Sequence, residues 1–116
     1  MKKIIIIIVT SFALMMIACS KSNDSSSSST DCSGTAKSFA TDVNPIIQSF
    51  CATNSGCHAS GSTNGPGALT TYQQVFNNRS AIRIAVANGS MPQNSSLSTS
   101  QKNAIICWID NGAANN

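Results

Sequence analysis

Cys51-Ala52-Thr53-Asn54-Ser55-Gly56-Cys57-His58 is the stretch on which the reading of this chain turns, and Gly89-Ser90-Met91-Pro92 is its counterpart further along. Two cysteines ending in Cys-His are a pattern for covalent haem attachment. The thiols add across the haem vinyl groups, and the neighbouring imidazole takes one axial face of the iron. A methionine on a later loop is the usual ligand on the other face. His58 is the only histidine, and Met91 is the only methionine beyond residue 16. If iron is held by imidazole and thioether, these two residues must supply both. The spacing departs from the common Cys-x-x-Cys-His pattern, because five residues separate Cys51 from Cys57.

Upstream, residues 1–18 read as a signal peptide. Lys2 and Lys3 form a positive start, followed by an apolar region of Ile4 to Val9 and Phe12 to Ile17. As a helix, Ile4 to Ile17 would cover roughly 21 Å, short of the ~30 Å hydrocarbon core. The segment closes with Met16-Ile17-Ala18-Cys19, which resembles the lipobox of bacterial lipoproteins, although Met16 replaces the more usual Leu. That resemblance implies cleavage before Cys19 and diacylglyceryl attachment to its sulfur. Two or three acyl chains would anchor the protein firmly, at about 0.8 kcal/mol per buried methylene. An ordinary secretory signal cut nearby is the alternative. Residues 19–30 are rich in serine, with Ser25 to Ser29 unbroken, and predict a disordered tether. Asp24 is the only acid in that tether, a poor match to the acidic surface-export signal of some Gram-negative lipoproteins. The expected location is the cell envelope, facing the periplasm or the outer surface.

Residues 31–116 are enough for one small domain, whose core is marginal without staples or a cofactor. Its charges nearly cancel: Lys37, Arg79, Arg83 and Lys102 against Asp31, Asp42 and Asp110. The formal +3 of the whole chain comes partly from Lys2 and Lys3. With no basic patch interleaved with aromatics, nucleic acid is not an expected partner. There is no internal repeat. Setting Cys19 aside leaves Cys32, Cys51, Cys57 and Cys107, an even number for an oxidising compartment. Four thiols allow three disulfide connectivities, or one disulfide plus a haem-attachment pair.

Helical signals dominate the domain. Asp42 is expected to cap a helix through Phe50, with Pro45 in its first turn and Val43, Ile46, Ile47 and Phe50 on one face. Ser60 to Gly67 is a loop by composition. Leu69 to Asn78 predicts a second helix capped by Thr70 or Thr71, with Tyr72, Val75 and Phe76 inward. Arg79 to Asn88 predicts a third, apolar at Ile82, Ala85 and Val86 and stopped by Gly89. Ser98-Thr99-Ser100-Gln101 is a capping box. It opens a last helix with a stripe of Ala104, Ile105, Trp108 and Ile109, ended by Gly112. No segment alternates long enough to be a strand, so the expected fold class is all-α.

Helix, Cys-Cys-His, loop, Met-Pro loop and a terminal helix bearing an aromatic is the layout of class I cytochromes c. Val43-Asn44-Pro45-Ile46-Ile47, the Cys51–His58 segment, Met91-Pro92 and Cys107-Trp108-Ile109-Asp110-Asn111-Gly112-Ala113 resemble cytochrome c-like lipoproteins of Bacteroidetes-type bacteria, some of which share the widened cysteine spacing. The resemblance covers nearly all of residues 32–116. It implies a small domain of short helices around one covalently attached haem c. It also implies a monomeric electron carrier rather than an enzyme, with redox proteins of the envelope as partners and the membrane as its anchor. Cys51 and Cys57 would form the thioethers, and His58 and Met91 the axial ligands. The Pro66 carbonyl would accept the His58 Nδ1–H. Trp108 reads first as a core residue, and packing against the haem edge would serve both roles. Cys32 and Cys107 would form a disulfide.

Other arrangements stay open at this stage. Cys57 alone could carry the haem while Cys51 pairs with Cys107 or Cys32. Without haem, all four cysteines could form two bridges in a stapled envelope module that binds or supports other components. A zinc site of Cys51, Cys57, His58 and another Cys would strain the adjacent Cys57 and His58. Peroxidase chemistry would require Met91 to leave the iron. No nucleophile–base pair or paired carboxylate is present.

Overall fold

A computed structural model describes residues 30–116. The expected signal peptide, Cys19 and the serine-rich tether up to residue 29 lie outside the described residues. Among the described residues every regular element is helical and there is no strand, which makes the domain all-α.

The first helical segment, α1 (39–51), joins a π-helical turn at Phe39–Val43, an α-helical turn at Asn44–Ile46 and a second π-helical turn at Ile47–Cys51. Pro45 has no N–H to give the preceding turn, a gap that fits the wider bonds beside it, such as Val43 N–H to the Ser38 carbonyl at 3.2 Å. Asp42 does not cap this helix, contrary to the sequence expectation. Ser38 does: its hydroxyl accepts the Thr41 N–H at 3.4 Å, while the Asp42 carboxylate reaches back to the Ser38 N–H at 2.8 Å. The exchange is a capping box lengthened by one residue, as a wide first turn allows. Asn116 completes it from the far end of the chain. Its side-chain oxygen accepts from the Phe39 N–H at 3.0 Å, and its backbone oxygen from the Ala40 N–H at 2.9 Å.

Helix α2 (Tyr72–Asn77) starts on a Thr71–Gln74 capping box. It is shorter than the expected 69–78 because Thr71, its cap, is extended (φ −127°, ψ 156°), so helical backbone begins only at Tyr72. Helix α3 (Arg79–Asn88) has the bounds the sequence predicts and ends on Gly89 in the left-handed region, φ 76°. Helix α4 (Thr99–Asp110) opens on the Ser98–Gln101 capping box, and the chain turns away through Gly112 at φ 100°.

Helix α4 packs against α3 and against the first turn of α1. Val43 and Ile47 of α1, Val75 of α2 and Ile105 of α4 are fully buried, with Trp108 beside them. The Phe39 ring stands edge-on to Tyr72 at 5.1 Å and tilted against Trp108 at 5.4 Å. The polar atoms of this cluster end on backbone: Trp108 Nε1–H on the Ala114 carbonyl at 2.8 Å and Tyr72 O–H on the Ala113 carbonyl at 3.0 Å. A disulfide between Cys32 and Cys107 ties the N-terminal arm to α4. This frame leaves the C-terminal end of α1, the loop after it, and the α3–α4 connection facing one another.

Candidate functional site

The last turn of α1 carries Cys51 into the core, and the chain then folds back on itself. The His58 N–H donates to the Cys51 carbonyl at 3.0 Å. In a Cys-x-x-Cys-His stretch the histidine stands four residues after the first cysteine, so this bond would be the ordinary α-helical one. Here the same bond closes across a longer segment, and the additional residues form a bulge beneath it. The Asn54 carbonyl accepts from both the Cys57 and Ala59 N–H groups, each at 3.0 Å. Asn54 Oδ1 accepts the Gly56 N–H at 2.9 Å, and Asn64 Nδ2 donates to the Gly56 carbonyl at 2.7 Å. The Ser62 hydroxyl donates to the Cys57 carbonyl. The widened spacing is thus taken up by an ordered bulge.

His58 is the only buried polar side chain among the described residues. Its Nδ1 lies 2.9 Å from the Gly67 carbonyl. A carbonyl can only accept, so Nδ1 is the donor of this bond, and in the neutral imidazole Nε2 then holds the lone pair. Among the described residues Nε2 forms no hydrogen bond, and the ring lines two neighbouring cavities. The sequence pointed to Pro66 as the acceptor; the structure moves that role one residue on, to Gly67. Gly65 and Gly67 both adopt positive φ, +54° and +81°. These turns present the Gly67 oxygen to the imidazole and leave the Pro66 ring as a wall of the smaller cavity.

Gly89 redirects the chain after α3, and the Met91 N–H reaches back to the Ala85 carbonyl at 3.2 Å. This places Met91 against the same two cavities as His58 and Cys51. The larger has a volume of about 660 Å³ and adds Cys57 to its lining. The smaller, about 130 Å³, has apolar walls that include Ile47, Leu69, Ile82 and Val86. Four residues singled out from two separate stretches of the sequence therefore meet around one space.

No protein-family model, curated protein or solved structure matches this chain.

The cysteines divide by environment. Cys51 and Cys57 are both free thiols, Cys51 buried and Cys57 partly exposed. Burial, with a smaller contribution from the adjacent Cys57, pushes the Cys51 thiol up to about 11. With Cys32 bonded to Cys107, neither is left to pair with Cys51. The zinc arrangement does not assemble either: among the described residues no three of His, Cys, Asp and Glu converge as metal donors. Trp108 is a core residue, the reading the sequence favoured. It lines neither cavity and belongs instead to the aromatic cluster with Phe39 and Tyr72, because its indole N–H is satisfied by the tail at Ala114.

The sequence placed the bulge at Asn54-Ser55-Gly56, and Asn54 organises it. What sequence reading missed is Gly67, whose carbonyl faces His58 Nδ1. The two glycines flanking Pro66 were a usable signal for it, since consecutive left-handed turns expose carbonyls to a neighbour.

Proposed function

We propose that residues 31–116 form a cytochrome c-like domain that binds one haem covalently through Cys51 and Cys57. His58 Nε2 and Met91 Sδ would hold its iron, and the domain would serve as a single-electron carrier of the cell envelope, anchored by lipid on Cys19. The observation that carries this reading is the His58 N–H to Cys51 carbonyl bond, which restores the local register of a Cys-x-x-Cys-His turn despite the longer segment. Two free thiols, an imidazole with its Nε2 lone pair available and a thioether then border a space in the size range of cofactor pockets.

The residues present fit the group. When bound, haem supplies a one-electron iron couple, and thioether ligation raises its potential relative to two imidazoles. The chain orients and shields it. Gly67 fixes the imidazole ring and strengthens its donor nitrogen. Ile47, Leu69, Ile82 and Val86 keep one wall apolar and exclude water. The Met91–Ala85 bond anchors the methionine loop to α3, so Met91 is the residue that would hold the iron opposite His58.

The test is an absorption spectrum of the chain matured in a haem-attaching periplasm, repeated after acid–acetone extraction. Haem bands that survive extraction are expected, and the reduced α band in pyridine distinguishes two thioethers from one. Protein that matures without retained haem overturns the proposal and leaves the stapled-module reading in its place.

A further inference from the structure

We infer that Asn64 is a site of spontaneous covalent modification, an amide-to-acid conversion by water, and that its product loosens the loop holding His58. The inference concerns the chain's own loops and stands with or without haem. Asparagine followed by glycine is the pair most open to this reaction, because glycine has no Cβ to shield the attacking backbone nitrogen. Such pairs occur at Asn64-Gly65, Asn88-Gly89 and Asn111-Gly112. The fold separates them.

In two of the pairs the attacking nitrogen is already engaged. The Gly89 N–H donates to the Val86 carbonyl at 3.3 Å and the Gly112 N–H to the Ile109 carbonyl at 3.1 Å, each at the end of a helix. Asn88 lies inside α3, and the Asn111 N–H is bonded to the Cys107 carbonyl at 3.0 Å. The Gly65 N–H has no acceptor among the described residues, and both Asn64 and Gly65 are exposed. Gly65 stands at the first corner of a turn closed by the Gly67 N–H on the Asn64 carbonyl at 3.0 Å, a position whose own amide the turn leaves unbonded. The Asn64 side chain is restrained by one bond, from Nδ2 to the Gly56 carbonyl at 2.7 Å.

The reaction needs only water. The Gly65 nitrogen gives its proton to solvent and attacks Asn64 Cγ. The Cγ–Nδ2 bond breaks, and Nδ2 leaves with a proton as ammonia. The cyclic imide then takes up a water molecule. Opening at Cγ leaves an aspartyl residue, whereas opening at the backbone carbonyl leaves an isoaspartyl residue with a longer main chain. Nothing is oxidised or reduced. Either product replaces the N–H donor facing the Gly56 carbonyl by a carboxylate oxygen, which repels it. The lost bond had tied the 54–56 bulge to the turn that presents the Gly67 carbonyl to His58 Nδ1, at 2.9 Å. Gly65 itself backs the imidazole: a Cβ there would lie 3.7 Å from His58 Cε1. Asn64 also lines the larger cavity, so the reaction puts a negative charge on its wall.

The experiment incubates the folded full chain at neutral and mildly alkaline pH and maps its peptides by mass spectrometry. Cleavage after Lys37, Arg79, Arg83 and Lys102 leaves the three Asn-Gly pairs on separate peptides, and fragmentation locates the amide-to-acid mass gain. Asn64 should convert several-fold faster than Asn88 and Asn111, and faster as pH rises, because the attacking nitrogen must lose its proton. In urea with the disulfide reduced, the three rates should converge. Asn88 or Asn111 reacting as fast as Asn64 in the folded chain overturns the inference, as does an Asn64 that stays intact there while the unfolded chain converts. Asn64→Gln, whose longer side chain closes the ring poorly, should show no mass gain at this position; a gain there overturns the mechanism. Asn64→Asp tests the consequence. Hydrogen exchange at the Gly67 and Leu69 amides, bonded to the Asn64 and His58 carbonyls, should speed several-fold. Exchange unchanged in that variant overturns the link to His58.

Discussion

Gly67 shows how much of the site rests on single backbone positions. Its φ of +81° lies where only glycine is unstrained, and a Cβ there would meet the Ser62 carbonyl at 3.4 Å. Gly67→Ala should cost about 1–2 kcal/mol from the left-handed conformation alone. For a domain of this size that is a fall in Tm of roughly 5–15 °C by thermal melting, and it should loosen the carbonyl that holds His58. An unchanged Tm would show that the loop relaxes freely. Cys51 gives a second prediction. Its folded pKa of about 11 stands above the ordinary 9.0, so the folded state keeps the thiol proton longer. The stability linked to it is intact below pH 9 and declines as pH rises toward 11. In protein lacking haem, iodoacetamide should modify Cys57 well before Cys51 at pH 8, and the Cys51 rate should keep climbing to about pH 11, read by mass spectrometry. His58 and Met91 were legible in the sequence because each is singular beyond residue 16, and Cys51 because it opens the stretch that ends in Cys57-His58. Gly67 was not, because which carbonyl faces an imidazole is decided by φ angles that residue type only permits.

Helices α3 and α4 were legible almost to the residue because their boundaries are set locally. Asn88-Gly89 stops one helix, and Ser98 with Gln101 starts the other. The start of α1 was not, because its cap combines a widened turn with Asn116, which arrives from the opposite end of the chain. Local capping makes a measurable claim: Ser98→Ala removes the acceptor for the Gln101 N–H, 3.2 Å away, and should cost about 1 kcal/mol. Ser98→Asp should retain most of it, measured by urea denaturation. The Arg83–Asp110 pair joins α3 to α4, and hydrogen bonds from Arg83 lower the Asp110 pKa below 3.8. Its contribution is therefore present above that ordinary value and lost as pH falls through the lower folded value. With side chains 43 % and 37 % exposed, solvent screening keeps the pair below about 1 kcal/mol. Asp110→Asn should flatten the acid limb of the stability profile only slightly, and a collapse of α4 on that substitution would show that the pair has been undervalued.

At the scale of the molecule, two closures act on a small core. The Cys32–Cys107 disulfide spans 75 residues and encloses α1, α2, α3, most of α4 and both cavities. Asn116 and Ser38 close a second, noncovalent loop nearby, with the Ser38 hydroxyl donating to the Asn116 backbone oxygen at 2.8 Å. This is the pairing expected from the sequence, and packing of the N-terminal arm beside α4 brings the two cysteines together. Cross-linking so long a loop restricts the unfolded chain and should contribute roughly 2–4 kcal/mol. The folded contacts of Val43, Ile47, Ile105 and Trp108 do not depend on it. The double variant Cys32→Ser/Cys107→Ser should therefore keep its helical circular dichroism while its Tm falls by about 10–20 °C. Because the site lies at the other end of α1 from the arm, the variant should still retain haem once folded. A variant that is unfolded at room temperature would mean that the core cannot hold α1 against α4 unaided. A variant that folds yet fails to take up haem would mean that the bridge positions Cys51 and His58 as well as stabilising the chain.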